Sequence, residues 1–435
     1  MDTIFALASG RGKAGVAVIR ISGRGAWPAV QSLAGDLPVP RRASLRRLRD
    51  RSGQELDQAL VVLFPAGASF TGEDVAELQL HGSPAVVAAV SEALAAEPDL
   101  RPAEPGEFTR RALQNGRLDL AQVEGLADLI NAETEAQRLQ AQRLFDGALG
   151  ERVMAWRASL LRASSLIVAA VDFAEEDVPQ DVRAACAAEI SGVRDALVAE
   201  QEGAFFAERV RDGFEIAIVG PPNAGKSTLL NYLAGREAAL TSEQAGTTRD
   251  VIEVRMDLGG LPVTLLDMAG LRETEDAVEA AGVARAMARA EAADIRVFLL
   301  PSDSLPGRLF RDGDIRLRGK ADLQPLDGQT DETECLPVSG RTGMGIDALL
   351  ERIEVTLELR AARPSLFNRA RHRRCVEEAR VALGSALGQI EMADPAHELV
   401  AEDLRRAIRS LESLIGKVDI EDVLDEVFAR FCIGK

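Results

Sequence analysis

One run of eight residues constrains this chain more than any other: Gly220-Pro-Pro-Asn-Ala-Gly225-Lys226-Ser227. It follows Phe214 to Val219, an apolar stretch with the texture of a strand, and opens Ser227 to Leu233, which reads as a helix. Glycines at the two ends of such a loop let successive backbone N–H groups turn inward on one anion. The following helix adds roughly half a positive charge at its N-terminus. A lysine in the position of Lys226 reaches phosphate oxygens, and a hydroxyl in the position of Ser227 faces Mg²⁺. The motif in this strand–loop–helix context predicts an α/β nucleotide-binding domain.

The segments that follow fall in the order a GTPase uses. Ala245-Gly-Thr-Thr-Arg-Asp250 is a loop whose Thr248 can close on the metal and the γ phosphate. Val251 to Leu258 and Leu261 to Leu266 predict a hairpin turning at Gly259-Gly260, and its second strand runs into Asp267-Met-Ala-Gly270. Asp267 would face Mg²⁺ through water, and the Gly270 N–H would sense the γ phosphate. Gly319-Lys320-Ala321-Asp322 stands where GTPases usually have Asn-Lys-x-Asp. Asp322 can accept from guanine N1–H and the exocyclic amine, and Lys320 can lie along the ring. Gly319 supplies no amide, so the expectation is guanine preference with weaker affinity. Val338-Ser-Gly-Arg341 resembles the last guanine loop, with Gly340 in place of the usual Ala.

With 435 residues the chain has room for about three domains. Residues 1–117 read as mixed α/β, with strands at Gly15 to Ile21, Leu60 to Phe64 and Asp74 to Leu80 and a helix from Pro84 to Ala96. Residues 118–210 and 360–435 carry apolar residues at helical spacing and flank the α/β block 211–359, which predicts one helical domain interrupted by an inserted one. A net charge of −18, from 51 basic and 69 acidic residues, excludes a protein held on nucleic acid by bulk charge. Four well-separated cysteines and three scattered histidines argue against a disulfide framework or a histidine metal site. The absence of a long apolar run and of a basic leader predicts a soluble, cytoplasmic protein.

Taken over its whole length, the sequence resembles the MnmE (TrmE) family of tRNA modification GTPases. The resemblance rests on Gly10 to Gly23, Ser69 to Val75 with Glu77-Leu-Gln79 and His81-Gly82, Pro105 to Ala112, and Asn115 to Gln122. It continues through Ala245 to Asp250 and Gly270 to Glu279 to the terminal Phe431-Cys-Ile-Gly-Lys435. It implies a multi-domain protein with an α+β tetrahydrofolate-binding-like N-terminal domain, an all-α helical domain and an inserted Ras-like α/β P-loop GTPase domain.

The family's activity follows as an expectation. GTP is hydrolysed with Mg²⁺ and K⁺, and with the flavoprotein MnmG a carboxymethylaminomethyl or aminomethyl group is installed at C5 of the wobble uridine of certain tRNAs. The resemblance implies a homodimer, a heterotetramer or larger complex with MnmG, and contact with tRNA but no membrane. It implies a reduced tetrahydrofolate, as the 5,10-methylene or 5-formyl form, held by Arg20, Glu77, Arg117 and Lys435. Arg117 stands where family members usually have Lys, which exchanges a point donor for a planar fork. GTP contact falls to Asn223, Ala224, Gly225, Lys226, Ser227 and Thr228, then to Ser242, Glu243, Gln244, Ala245, Gly246, Thr247 and Thr248. It continues with Asp267, Met268, Ala269, Gly270, Lys320, Asp322, Ser339, Gly340 and Arg341.

Mg²⁺ falls to Ser227 and Thr248, and K⁺ to Asn223, Ser242, Gln244 and Thr247. Glu279 would act on the attacking water through a second water; Arg249 is the other catalytic candidate. Cys432 is a candidate redox or active-site thiol, against the plainer reading of a small buried hydrophobe. The arginines at 41, 42, 46, 47, 49 and 51 and the run Arg371-His-Arg-Arg374 could meet RNA phosphate, but a charge run is more often a solvated face. The rival function is a GTP-driven switch in ribosome assembly, which leaves the folate-type N-terminal segment unexplained.

Overall fold

The computed structural model describes residues 2–172, 180–236, 239–240, 253–268, 287–300, 310–323, 335–360, 365–392, 396–418, 428, 431 and 434. They form two compact units: Met1–Ala127 with Leu144–Ala158 and Ile408–Lys435, and Asp128–Arg143 with Ser159–Ala407.

The first unit is built on a six-stranded sheet in the order β3-β4-β5-β2-β1-β6. Its strands are β1 (Thr3–Leu7), β2 (Val16–Ser22), β3 (Ser44–Arg49), β4 (Glu55–Phe64), β5 (Val75–His81) and β6 (Leu100–Pro102). Strand side chains alternate between faces, so each strand serves two layers. Phe5, Ile19, Ile21, Val61, Leu78 and Leu80 face one core, covered by the helices Ala26–Ala34 and Pro84–Ala95. Ile4 and Ala6 face the other way, against Phe108 of the helix Glu107–Gln114. Register then places Ala6, Arg20, Glu77 and Val62 in one row across that second face.

Near the chain's end, Phe428 and Phe431 pack on Val123 of the helix Leu120–Ile130. A Cβ on Gly106, the left-handed residue before the helix Glu107–Gln114, would stand 2.8 Å from the Phe428 ring, so glycine is needed there for both space and φ.

The second unit holds a sheet in the order β12-β11-β10-β7-β9-β8. Its strands are β7 (Phe214–Val219), β8 (Glu253–Leu258), β9 (Leu261–Asp267), β10 (Ile295–Leu300), β11 (Ile315–Arg318) and β12 (Leu336–Pro337). All neighbours pair parallel except β8 with β9. The expected hairpin is present, and positive φ at both Gly259 and Gly260 gives the tight turn. The helices Lys226–Ala234 and Ile346–Arg360 fill one face of the sheet, with Leu230, Leu233, Leu349 and Ile353 in the core. On the other face, Met268 packs with Ala217, Leu266 and Phe298. The long helix Gln180–Asp212 and the helix Ala370–Ile390 are tied by ion pairing of Arg373 with Glu208 at 3.0 Å.

Candidate functional site

Parallel strands bring their C-terminal ends to one edge, and ligands of open α/β sheets bind in the crevice there. In the second unit the C-terminal ends of β7, β9, β10, β11 and β12 lie along one edge in this way. The loop after β7 turns through two left-handed residues, Asn223 at φ 62° and Gly225 at φ 106°. Gly225 caps the helix that begins at Lys226. A Cβ on Gly220 would stand 2.4 Å from the Leu299 carbonyl oxygen, so the loop leaves its strand in contact with β10.

Lys226 is 7% exposed, and its ammonium donates to the carbonyls of Gly220 (2.8 Å) and Pro221 (3.1 Å). Burial pushes this ammonium below the ordinary lysine range, and the Asp267 carboxylate offsets part of that. Ser227 Oγ donates to Asp267 Oδ2 at 2.8 Å. Asp267 is 2% exposed, and its Oδ1 has no partner among the described residues. A buried, unpartnered carboxylate oxygen beside a serine hydroxyl is a hard-oxygen pair that suits Mg²⁺.

Next to the loop lies a cavity of about 190 Å³. Its walls are Ala224, Gly225, Thr228 and Leu229 from the loop and helix, Leu299 from β10, Gly319, Lys320, Asp322 and Leu323 after β11, and Val338 to Arg341 after β12. Lys320 is left-handed at φ 58°, and the chain beyond it is pinned by Ala321 N–H donating to the Val338 carbonyl at 3.1 Å. Ser339 Oγ accepts from the N–H groups of Arg341 (3.2 Å) and Thr342 (3.3 Å), which fixes the last loop. The cavity thus presents a carboxylate, an ammonium stem and apolar walls to a flat heterocycle.

The structure therefore brings together Asn223 to Thr228, Asp267, Lys320, Asp322, Ser339, Gly340 and Arg341. Leu299 and Leu323 also line the cavity and belong to no motif; position at the end of a parallel strand is the signal that would have found Leu299. Ser242 to Arg249, Ala269, Gly270, Glu279, Cys432 and Lys435 lie outside the described residues.

A second constellation occupies the row on the N-terminal sheet. Arg20 and Glu77 are directly opposed on β2 and β5, and Arg20 Nε and Nη2 each lie 3.0 Å from Glu77 Oε1. The guanidinium sits 5.6 Å from the Phe70 ring centre and 5.7 Å from that of Phe108. These two phenylalanines were not singled out in the sequence, although both lie in segments that carry the family resemblance. Arg117 is exposed, and its Cγ lies 3.3 Å from where a Cβ on Gly72 would stand. The loop Ser69 to Glu73 is held from behind by Arg111, 4% exposed, whose Nη1 reaches Glu73 at 3.0 Å and whose Nη2 reaches Asp2 at 2.9 Å. Gly434 is packed so closely on β1 that a Cβ there would stand 2.1 Å from the Leu7 carbonyl oxygen.

The arginine clusters are divided by the fold. Arg46 donates to the Asp36 carbonyl and Arg51 pairs with Glu97, while Arg47 and Arg49 are exposed on β3. His372 is fully buried against Phe367, and Arg373 is paired with Glu208. Burial pushes the Cys186 thiol up to about 11, as expected of a packing residue. Among the described residues no helix is long and apolar enough to cross a membrane.

Comparison with known proteins finds two family models along the chain. Residues 120–432 match the MnmE helical domain, and residues 3–117 match the N-terminus of the GTP-binding protein TrmE. Proteins named tRNA modification GTPase MnmE are similar along their whole length. That of Cereibacter sphaeroides is 59% identical and that of Dinoroseobacter shibae 55%, each alignment covering 100% of both chains. The protein of Ruegeria pomeroyi is also 55% identical with the same coverage. Two family models that together span residues 3–432 and full-length relatives at more than half identity leave one conclusion: the chain belongs to the tRNA modification GTPase MnmE family.

Proposed function

We propose that this protein is a K⁺-stimulated GTPase that, with the flavoprotein MnmG, modifies C5 of the wobble uridine of certain tRNAs. A reduced tetrahydrofolate supplies the one-carbon unit, and the product carries a carboxymethylaminomethyl or aminomethyl group. The observation that carries the reading is the pairing of two unlike sites in one chain. One is a phosphate loop with a base cavity; the other is a carboxylate–guanidinium row between two phenyl rings.

In the nucleotide site, Asp322 accepts from the guanine N1–H and amine while Lys320 lies along the ring. Lys226 exchanges its bonds to the Gly220 and Pro221 carbonyls for phosphate oxygens, a transfer between acceptors of increasing charge. Ser227 and Thr248 would hold Mg²⁺, with Asp267 facing it through water; the ion would neutralise charge on the β and γ phosphates when bound. Asn223, Ser242, Gln244 and Thr247 would hold K⁺, Glu279 would orient the attacking water, and Arg249 would act beside it.

In the N-terminal site the Arg20 hydrogen bond and ion-pair contact both fall on Glu77 Oε1, which leaves Oε2 to accept from a pterin N–H. Arg117 and Lys435 would meet the anionic glutamyl tail, and support for Lys435 is the seat of its neighbour Gly434 on β1. The two family matches meet near residue 118, which supports a boundary there between an N-terminal domain (1–117) and a helical domain (118–210 with 360–435). The G domain would span 211–359, and the protein would act in the cytoplasm as a homodimer. The decisive experiment is mass-spectrometric analysis of wobble uridines from cells lacking the gene, complemented with the wild type or with Lys226→Ala. The modified nucleoside should return only with the wild type; its persistence in the deletion strain would refute the proposal.

A further inference from the structure

Glycine at 319 and at 340 departs from the usual guanine motifs at both loops of the base cavity, and the two departures share one neighbour. Neither residue has a positive φ, so backbone conformation does not call for glycine at either position. Space does. A Cβ on Gly319 would lie 2.8 Å from the Ala224 carbonyl oxygen and 3.1 Å from Leu299 Cδ1. A Cβ on Gly340 would lie 2.6 Å from Leu229 N, and 2.8 Å from both Leu229 Cα and the Thr228 carbonyl carbon. Both loops therefore rest directly on the segment from Ala224 to Leu229, the end of the phosphate loop and the start of its helix. The nearest atom met at each position is backbone, which cannot swing aside as a side-chain tip can.

We propose that Gly319 and Gly340 are positioning residues that set the width of the base cavity by bare backbone contact, taking the place of the amide brace that an asparagine provides in other GTPases. This rests on the reading that the cavity holds guanine. Its consequence runs against the motif: restoring the common asparagine at 319 weakens guanine nucleotide binding. An added side chain there must push the Ala224 carbonyl, which displaces the N–H groups aimed at the phosphates and moves Lys320 and Asp322 off the base.

The test is equilibrium titration of the full chain with fluorescent GDP and ADP analogues. Gly319→Asn, Gly319→Ala and Gly340→Ala are compared with the wild type and with Gly192→Ala, whose Cβ would meet nothing within 4 Å. Expected is an affinity loss for GDP of about tenfold or more in Gly319→Asn and about fivefold in each alanine variant. The nucleotide-free variants should still unfold cooperatively, with a midpoint lowered by about 2–8 °C, and Gly192→Ala should bind as the wild type does. Equal or tighter GDP binding by Gly319→Asn overturns the proposal. Should that variant fail to fold, alanine variants with GDP affinity within about twofold of the wild type overturn it equally. Asp322→Asn tests the underlying reading separately: it should shift preference from GDP to xanthosine diphosphate, and failure to do so removes guanine from the cavity whatever the glycine variants do.

Discussion

Replacing Arg20 with methionine keeps most of the side-chain volume and removes a guanidinium that touches a carboxylate and two rings. One charge-assisted hydrogen bond from Nε and an ion-pair contact from Nη2, each at 3.0 Å, fall on one Glu77 oxygen, and both side chains are about one-fifth exposed, at 22% and 20%. That places the pair between an exposed ion pair, about 0–1 kcal/mol, and a buried one whose rupture costs about 3–5 kcal/mol. A coupling of about 1–2 kcal/mol is the consistent expectation. The two ring contacts, near the 6 Å limit for attraction, add about 0.5 kcal/mol each to the loss on removing Arg20 but cancel in a cycle with Glu77. The assay is calorimetric binding of 5-formyltetrahydrofolate to the wild type, Arg20→Met, Glu77→Gln and the double variant. Each single change should weaken binding by about tenfold or more, and the double should fall short of additivity by about 1–2 kcal/mol. Additivity within about 0.3 kcal/mol would show that the ligand does not use the pair as a unit. Unchanged binding in both single variants would remove the folate from this row altogether.

Other outcomes follow from the same geometry. Ser227→Ala removes the hydroxyl bonded to Asp267 and should lower Mg²⁺-dependent GTP turnover by about 100-fold or more, with GDP binding in EDTA little changed. Asp314→Ala leaves the 4%-exposed Arg296 guanidinium, among the described residues, with the Glu291 and Ala293 carbonyls alone and should cost about 3–5 kcal/mol in the GDP-bound unfolding transition. A loss under about 1 kcal/mol would contradict the burial of that pair. The Arg101 guanidinium holds the Asp2 carboxyl below its ordinary range. Glu107 also lies low, because bonds from Arg101 and the Glu104 N–H outweigh a burial that alone would raise it. Both carboxyls bind fewer protons folded than unfolded, so their stabilisation is present above the unfolded pKa values and is lost as pH falls through the lower folded ones. Thermal midpoints followed by circular dichroism should drop below about pH 4, and Arg101→Met should flatten that acid limb.

What the sequence makes legible here is what short range determines. The loop at Gly220 to Ser227 is read because one turn of chain must do everything a phosphate needs, and the β8–β9 hairpin because two adjacent glycines supply its two positive φ angles. Leu48 is the only fully buried residue of β3, so a strand carrying three arginines looks like a solvated charge run until β4 is seen to pair with it. Strand β1 is likewise hard to see in the sequence: its five residues show no alternation because both faces of the sheet are covered there. Arg20 and Glu77 are far apart in the sequence, and the register of β2 against β5 makes them one group. Gly319 shows the same limit from the other side. A motif treats it as a missing amide, whereas the cause of the glycine is a carbonyl oxygen on Ala224, distant in sequence and adjacent in space. Substitutions at motif positions are therefore to be judged against the backbone they face before they are scored as losses.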